Sequence, residues 1–174
     1  PLASAKLKGI FGDGFDYEAV RSKRVELMDN YVEKNGIEVK SGAKELLSFL
    51  KENGYKVALA TATPPQRAER YLKAHDLYKY FDVTVSASMV SVGKPAPDIY
   101  LKAAEMLGLS PQNCVALEDS PNGIKSASSA GCVTVMVPDL DKPSNDIIPL
   151  LHGVADGLSD VKRILRELED CNIQ

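Results

Sequence analysis

From residue 41 onward the chain alternates helical and strand-like segments, and this alternation restricts the fold more than any other feature. Ala43, Leu46, Leu47 and Leu50 recur at helical spacing, Gly54 stops them, and an apolar strand follows at residues 56–61. A helix over 65–75, a strand at 83–86 and a helix carrying Ile99, Tyr100, Ala103, Ala104 and Leu107 come next, with Gly108 beyond its end. Residues 114–118 form a third strand. Ser120 caps the following helix and Pro121 opens it, and Gly131 ends it. A fourth strand is expected at 133–137 and a short fifth near Val154, before a last helix with Val161, Ile164, Leu165 and Leu168. Strands and helices in this rhythm require right-handed crossovers and a parallel sheet with helices on both faces. The strands are almost continuously apolar, as strands buried on both sides must be.

The first 38 residues lack that rhythm and read as helical. Tyr17, Val20, Arg24, Leu27, Met28 and Tyr31 fall on helical spacing, Asp16 suits the N-cap and Gly36 the end. The segment 12–14, Gly-Asp-Gly, reads as a turn. Composition narrows the partners. A formal charge of -3 and a pI near 5.5, with the basic residues scattered, give no electrostatic reason to expect nucleic acid or an anionic membrane. No apolar run is long enough to cross a bilayer. Three cysteines without a CxxC pair suit a reducing, cytoplasmic setting, with Cys114 and Cys132 as small buried thiols and Cys171 in the tail. His75 and His152 lack metal-ligand spacing and are read as surface residues.

In parallel sheets of this kind, ligands bind at the carboxyl ends of the strands. Those ends carry Thr61-Ala62-Thr63, then Lys94 in the loop after the second strand, then Glu118-Asp119-Ser120. A hydroxyl, an exposed backbone N–H at Ala62, a lysine and an acidic pair are what a phosphoryl group needs. Thr61 and Ala62 can donate to its oxygens. Lys94 can balance their charge. Glu118 and Asp119 are hard oxygen donors of the kind that hold magnesium together with waters and a phosphate oxygen. Singly, each residue has a plain structural use: a strand-end threonine, a loop lysine, acids favoured near a helix N-terminus. Their joint appearance at three strand ends is what favours function.

Residues 57–63, Val-Ala-Leu-Ala-Thr-Ala-Thr, resemble the second motif of the haloacid-dehalogenase-like phosphohydrolases. Gly93-Lys94-Pro95-Ala96-Pro97-Asp98 is similar to the third motif and Leu117-Glu118-Asp119-Ser120 to the fourth. The version here resembles the branch that contains beta-phosphoglucomutase and related sugar-phosphate phosphatases. The match runs from Ser41 to about Asp160, and residues 1–38 resemble the last helices of that branch's small helical cap. The resemblance implies an α/β fold with a Rossmann-like parallel sheet: 1–38 as a partial cap and 39–174 as the phosphohydrolase core. It implies a magnesium-dependent phosphohydrolase of a small phosphorylated metabolite, acting as a monomer through an aspartyl-phosphate. Thr61, Ala62 and Lys94 would hold the phosphoryl group, and Glu118 and Asp119 would hold Mg2+.

One feature of the family's pattern is missing. The nucleophilic aspartate belongs to a D-x-D-G segment on the central strand, and no such segment occurs in the chain. Aligning Asp13-Gly14 with it would put Phe11 at the nucleophile position, and phenylalanine cannot attack phosphorus. The family's order places the missing strand between residues 56–61 and 114–118. The expectation is therefore a core without its first strand, part of a longer enzyme, and a polypeptide that is inactive as written. A phosphomutase of the beta-phosphoglucomutase type and a non-catalytic phosphate- or metal-binding relative stay open as alternatives.

Overall fold

The structure, a computed structural model, describes residues 2–170; Cys171 lies outside them. The chain divides between Glu38 and Val39 into two compact units. The first holds α1 (Leu2–Phe11) and α2 (Tyr17–Asn35). Asp16 starts α2 as expected, its Oδ1 accepting the Ala19 N–H at 3.0 Å, and Gly36 ends it with φ 76°. No α2 residue is buried; Leu27 and Tyr31 on its apolar stripe are 57% and 66% exposed.

The second unit begins with α3 (Ala43–Glu52), followed by β1 (Ala58–Thr61), α4 (Pro65–Ala74), β2 (Val83–Ser86) and α5 (Asp98–Leu107). It continues with β3 (Val115–Glu118), α6 (Pro121–Ser129), β4 (Val133–Met136), β5 (Gly153–Val154) and α7 (Val161–Asp170). Four short 3-10 turns, at Tyr78–Tyr80, Ala87–Met89, Pro111–Asn113 and Ile148–Leu150, were not foreseen from the sequence. Gly108 takes φ 68° beyond α5, a left-handed value that lets its N–H close onto the Ala104 and Glu105 carbonyls. Among the described residues no helix is long and apolar enough to cross a membrane.

Every strand pair is parallel, with helices on both faces, as the alternation requires. Side chains alternate between the faces along each strand. Ala116 packs in a cluster with Val85, Ile99, Ala103 and Ala127, between the strands and the α5–α6 side. Its neighbour Leu117 turns the other way, toward Leu46, Val135, Val161, Ile164 and Leu165 on α3, β4 and α7.

The sheet is in two parts. β1 pairs with β2, from Ala58 opposite Val83 to Thr61 opposite Ser86. Separately, β3 pairs with β4 and β4 with β5. Among the described residues no ladder joins β1 to β3. A mostly apolar cleft of about 520 Å³ is lined by residues of both strands, Val57 to Ala60 on one and Val115 to Glu118 on the other. Leu46 and Leu50 of α3 and Ala103 and Leu107 of α5 complete its walls.

Candidate active site

The period-2 alternation that turns Ala116 toward α5 and α6 turns Glu118 the same way. The Glu118 carboxylate is therefore buried, 7% exposed, at the carboxyl end of β3. A buried carboxylate is tolerated only with partners, and Glu118 has three. Lys94 Nζ makes an ion pair with its Oε1, the Tyr100 hydroxyl donates to the same oxygen, and Ser120 Oγ lies 3.4 Å from Oε2. Ser120 also accepts the Gly123 N–H at 3.2 Å and so caps α6, as its position before Pro121 predicted. Gly123 faces the carboxylate, and a Cβ built there would overlap Oε2. Glycine at this place is a matter of room, since any side chain would push Glu118 away.

Lys94 reaches this point from the loop before α5, through a cis Lys94–Pro95 peptide bond. Besides Glu118, its ammonium donates to the Ala60 carbonyl at 3.3 Å and to the Tyr100 hydroxyl at 3.4 Å. An ammonium has three protons, and here three acceptors face it. Ala60 precedes Thr61 in β1, so one lysine links the carboxyl ends of β1 and β3. Burial, followed by the charge and hydrogen bond of Glu118, pushes the Tyr100 hydroxyl far above its ordinary value, so it remains a donor.

Thr61 is half-buried and its Oγ1 accepts the Thr63 N–H at 3.0 Å, which leaves the hydroxyl proton free to donate elsewhere. Ala62 and Asp119 are exposed. Of the five residues singled out in the sequence, the structure joins Lys94 and Glu118 directly, places Thr61 next to the Ala60 carbonyl that Lys94 holds, and leaves Ala62 and Asp119 open to solvent. No group of three or more His, Cys, Asp or Glu side chains capable of holding a metal occurs among the described residues. The donors present, a carboxylate pair at one strand end, are nevertheless of the type magnesium takes, one or two carboxylates with waters and phosphate oxygens completing its shell.

Sequence reasoning missed Tyr100 and Gly123 as site residues. Tyr100 was read only as one apolar position of a helix. The available signal was that a buried tyrosine needs a partner for its hydroxyl. Of the two histidines, His152 is exposed, as expected, and accepts the Thr134 N–H through Nδ1, whereas His75, at the end of α4, is half-buried. Cys132 is buried, and that burial pushes its thiol up to about 11, so it is an inert core residue.

Comparison with known proteins shows the family. The family model described as haloacid dehalogenase-like hydrolase matches residues 8–131. A phosphorylated carbohydrates phosphatase of Thermotoga maritima is 40% identical over 124 residues, 71% of this chain and 50% of that protein. Hexitol phosphatase B of Escherichia coli is 40% identical over 97 residues, 56% of this chain and 44% of that protein. The chain thus spans about half the length of the curated relatives it matches. Among solved structures, CbbY from Rhodobacter sphaeroides in complex with phosphate superposes with a TM-score of 0.71 at 26% identity, covering 85% of this chain and 67% of that one. Beta-phosphoglucomutase from Clostridium difficile gives 0.74 at 24% identity over 95% of this chain and 74% of that one, a likeness of fold. With the family model matching residues 8–131 of 174, the chain belongs to the haloacid dehalogenase-like hydrolases.

Proposed function

We propose that this chain is the core, with part of a helical cap at residues 1–38, of a magnesium-dependent phosphatase acting on a small sugar-phosphate-like metabolite. The observation that carries the reading is the Lys94 ammonium, held between the Ala60 carbonyl at the end of β1 and the Glu118 carboxylate at the end of β3. The 40% identity to a phosphatase of phosphorylated carbohydrates supports the substrate class. Free thiols at Cys114 and Cys132 suit a reducing cytoplasm.

In this reading Thr61 donates its hydroxyl and Ala62 its N–H to the phosphoryl oxygens. Lys94 exchanges one of its three acceptors for a phosphoryl oxygen and offsets the charge spread over that group. Glu118 and Asp119 hold Mg2+, which when bound polarises the phosphoryl group and screens its charge from an incoming anion. The attacking aspartate belongs to an additional strand seated between β1 and β3, where the apolar cleft lies. Its carboxylate attacks phosphorus and displaces the sugar oxygen, which leaves as the alcohol with a proton from the second aspartate of the D-x-D segment. Water then cleaves the aspartyl-phosphate to free carboxylate and inorganic phosphate.

The test compares two polypeptides on a panel of sugar phosphates with Mg2+. The 174-residue chain, its intact mass verified, is expected to release no phosphate. A version extended upstream with an apolar strand ending in D-x-D is expected to release it, and Lys94→Ala in that version should lower kcat by about 100-fold. Phosphate release by the shorter chain, or silence from the extended one, overturns the reading. Conversion of glucose-1-phosphate to its isomer without net phosphate release would instead indicate a phosphomutase.

A further inference from the structure

Phosphoryl and metal binding would engage Lys94 and Glu118 but give a buried hydroxyl beside them no task. Tyr100 stands in the first turn of α5, 9% exposed, with its ring in the cluster of Val85, Ile99, Ala103 and Ala116. A phenylalanine would fill that apolar place equally well. The hydroxyl is what differs, and it meets the site: it donates to Glu118 Oε1, and Lys94 Nζ lies 3.4 Å from it and 5.0 Å from the ring centroid. One side chain therefore touches both members of the ion pair, from a helix and not from either strand.

This matters when Lys94 is drawn away. A phosphoryl group recruits the lysine only if the lysine weakens its hold on Glu118, and a buried carboxylate left without a donor is strongly disfavoured. The Tyr100 hydroxyl keeps Oε1 hydrogen-bonded during that exchange, while Ser120 stays beside Oε2. The carboxylate fills the space that Gly123 leaves open for lack of a side chain. The lysine can then move without the carboxylate following it.

We propose that Tyr100 is a positioning residue, whose buried hydroxyl fixes Glu118 so that Lys94 can pass between the carboxylate and a phosphoryl oxygen. The role rests on the phosphatase reading, but its first test does not need turnover. In the 174-residue chain, the Lys94 ammonium should give an observable 15N-correlated NMR signal, because a partly buried, fully hydrogen-bonded ammonium exchanges slowly with water. Tyr100→Phe, which keeps the ring, should lose that signal while the backbone spectrum retains its dispersion. Glu118→Gln should lose it too, as members of one unit behave. If Tyr100→Phe does not fold, the Tyr100 Cζ resonance of the wild-type chain is read against Glu118→Gln, where a shift is expected.

An unchanged Lys94 signal in Tyr100→Phe, no Lys94 signal in the wild type, or an unmoved Tyr100 Cζ resonance overturns the proposal. In the strand-extended enzyme, Tyr100→Phe should lower kcat about 10- to 100-fold with KM nearly unchanged. Failure of the unsubstituted extended enzyme to release phosphate counts against the phosphatase reading. Loss of the Lys94 signal in Tyr100→Phe alone, beside an inactive extended enzyme, would support the hold of Tyr100 on the ion pair and count only against the phosphatase reading.

Discussion

At the scale of single residues, the site is decided by which way Glu118 points. Strand parity sends it to the same side as Ala116, into a pocket built by Tyr100, Ser120, Lys94 and Gly123. Gly123 has no left-handed torsion to explain it, so its requirement is contact. Gly123→Ala should therefore force the carboxylate out of its place and destabilise the unit by about 1–3 kcal/mol, the usual cost of overfilling a packed position. Urea unfolding measures this, and a variant as stable as the parent would show that Glu118 has another resting place. The sequence named Lys94 and Glu118 but gave them separate tasks, one for phosphate and one for metal. Their pairing needed the structure, because residues 24 positions apart meet only once two strands and a loop are placed together.

At the scale of elements, helix starts and stops were legible and strand starts less so. Asp16, Ser120, Gly36 and Gly108 act as their types predict, since caps and left-handed glycines are local chemistry. The first strand was expected to begin at Lys56, yet β1 begins at Ala58. Its approach is tied down by side chains. Val57 donates its N–H to the Asp82 carboxylate at 2.7 Å, and Lys56 Nζ donates to the Leu107 carbonyl at 2.7 Å. Asp82 also receives Lys51 of α3 at 2.7 Å, so one carboxylate joins α3 to the starts of β1 and β2. The Lys51 hydrogen bond, then the Val57 N–H, hold its carboxyl below the usual carboxylate value. A carboxyl group lowered on folding adds stability that is complete above its unfolded pKa, about 3.9, and fades as pH falls through the lowered folded value. Asp82→Asn should remove that part of the acid sensitivity and cost about 1 kcal/mol at neutral pH, given the exposure of the pair. Denaturant midpoints for both proteins between pH 7 and pH 2 measure it; parallel curves would assign the acid loss to other groups.

At the scale of the whole second unit, two half-sheets share helical cover, and among the described residues no ladder joins them. The cluster of Val85, Ile99, Ala103, Ala116 and Ala127 bridges them from the α5–α6 side. β4 is buried along its whole length and is bonded on both edges, to β3 and β5. β1 and β3 are each laddered to one strand and line the cleft. Native-state hydrogen exchange should therefore find the β4 amides slowest and those of β1 and β3 faster, because opening free energy follows burial and bonding. Extending the chain upstream with a strand should slow β1 and β3 selectively. Uniform protection in the unextended chain would mean that the cleft is closed in solution.

The parallel, helix-covered architecture, the order of elements and the threonine, lysine and acidic pair at or just beyond the strand ends are all legible in the sequence. Periodicity, capping and turn chemistry act within a few residues of one another, so they can be read along the chain. That the sheet stands as two parts around a cleft, that Lys94 rests on Glu118 and that Tyr100 contacts both emerge from the folded chain alone. Those outcomes depend on which distant surfaces meet and how fully a buried charge is satisfied, and neither is encoded in spacing.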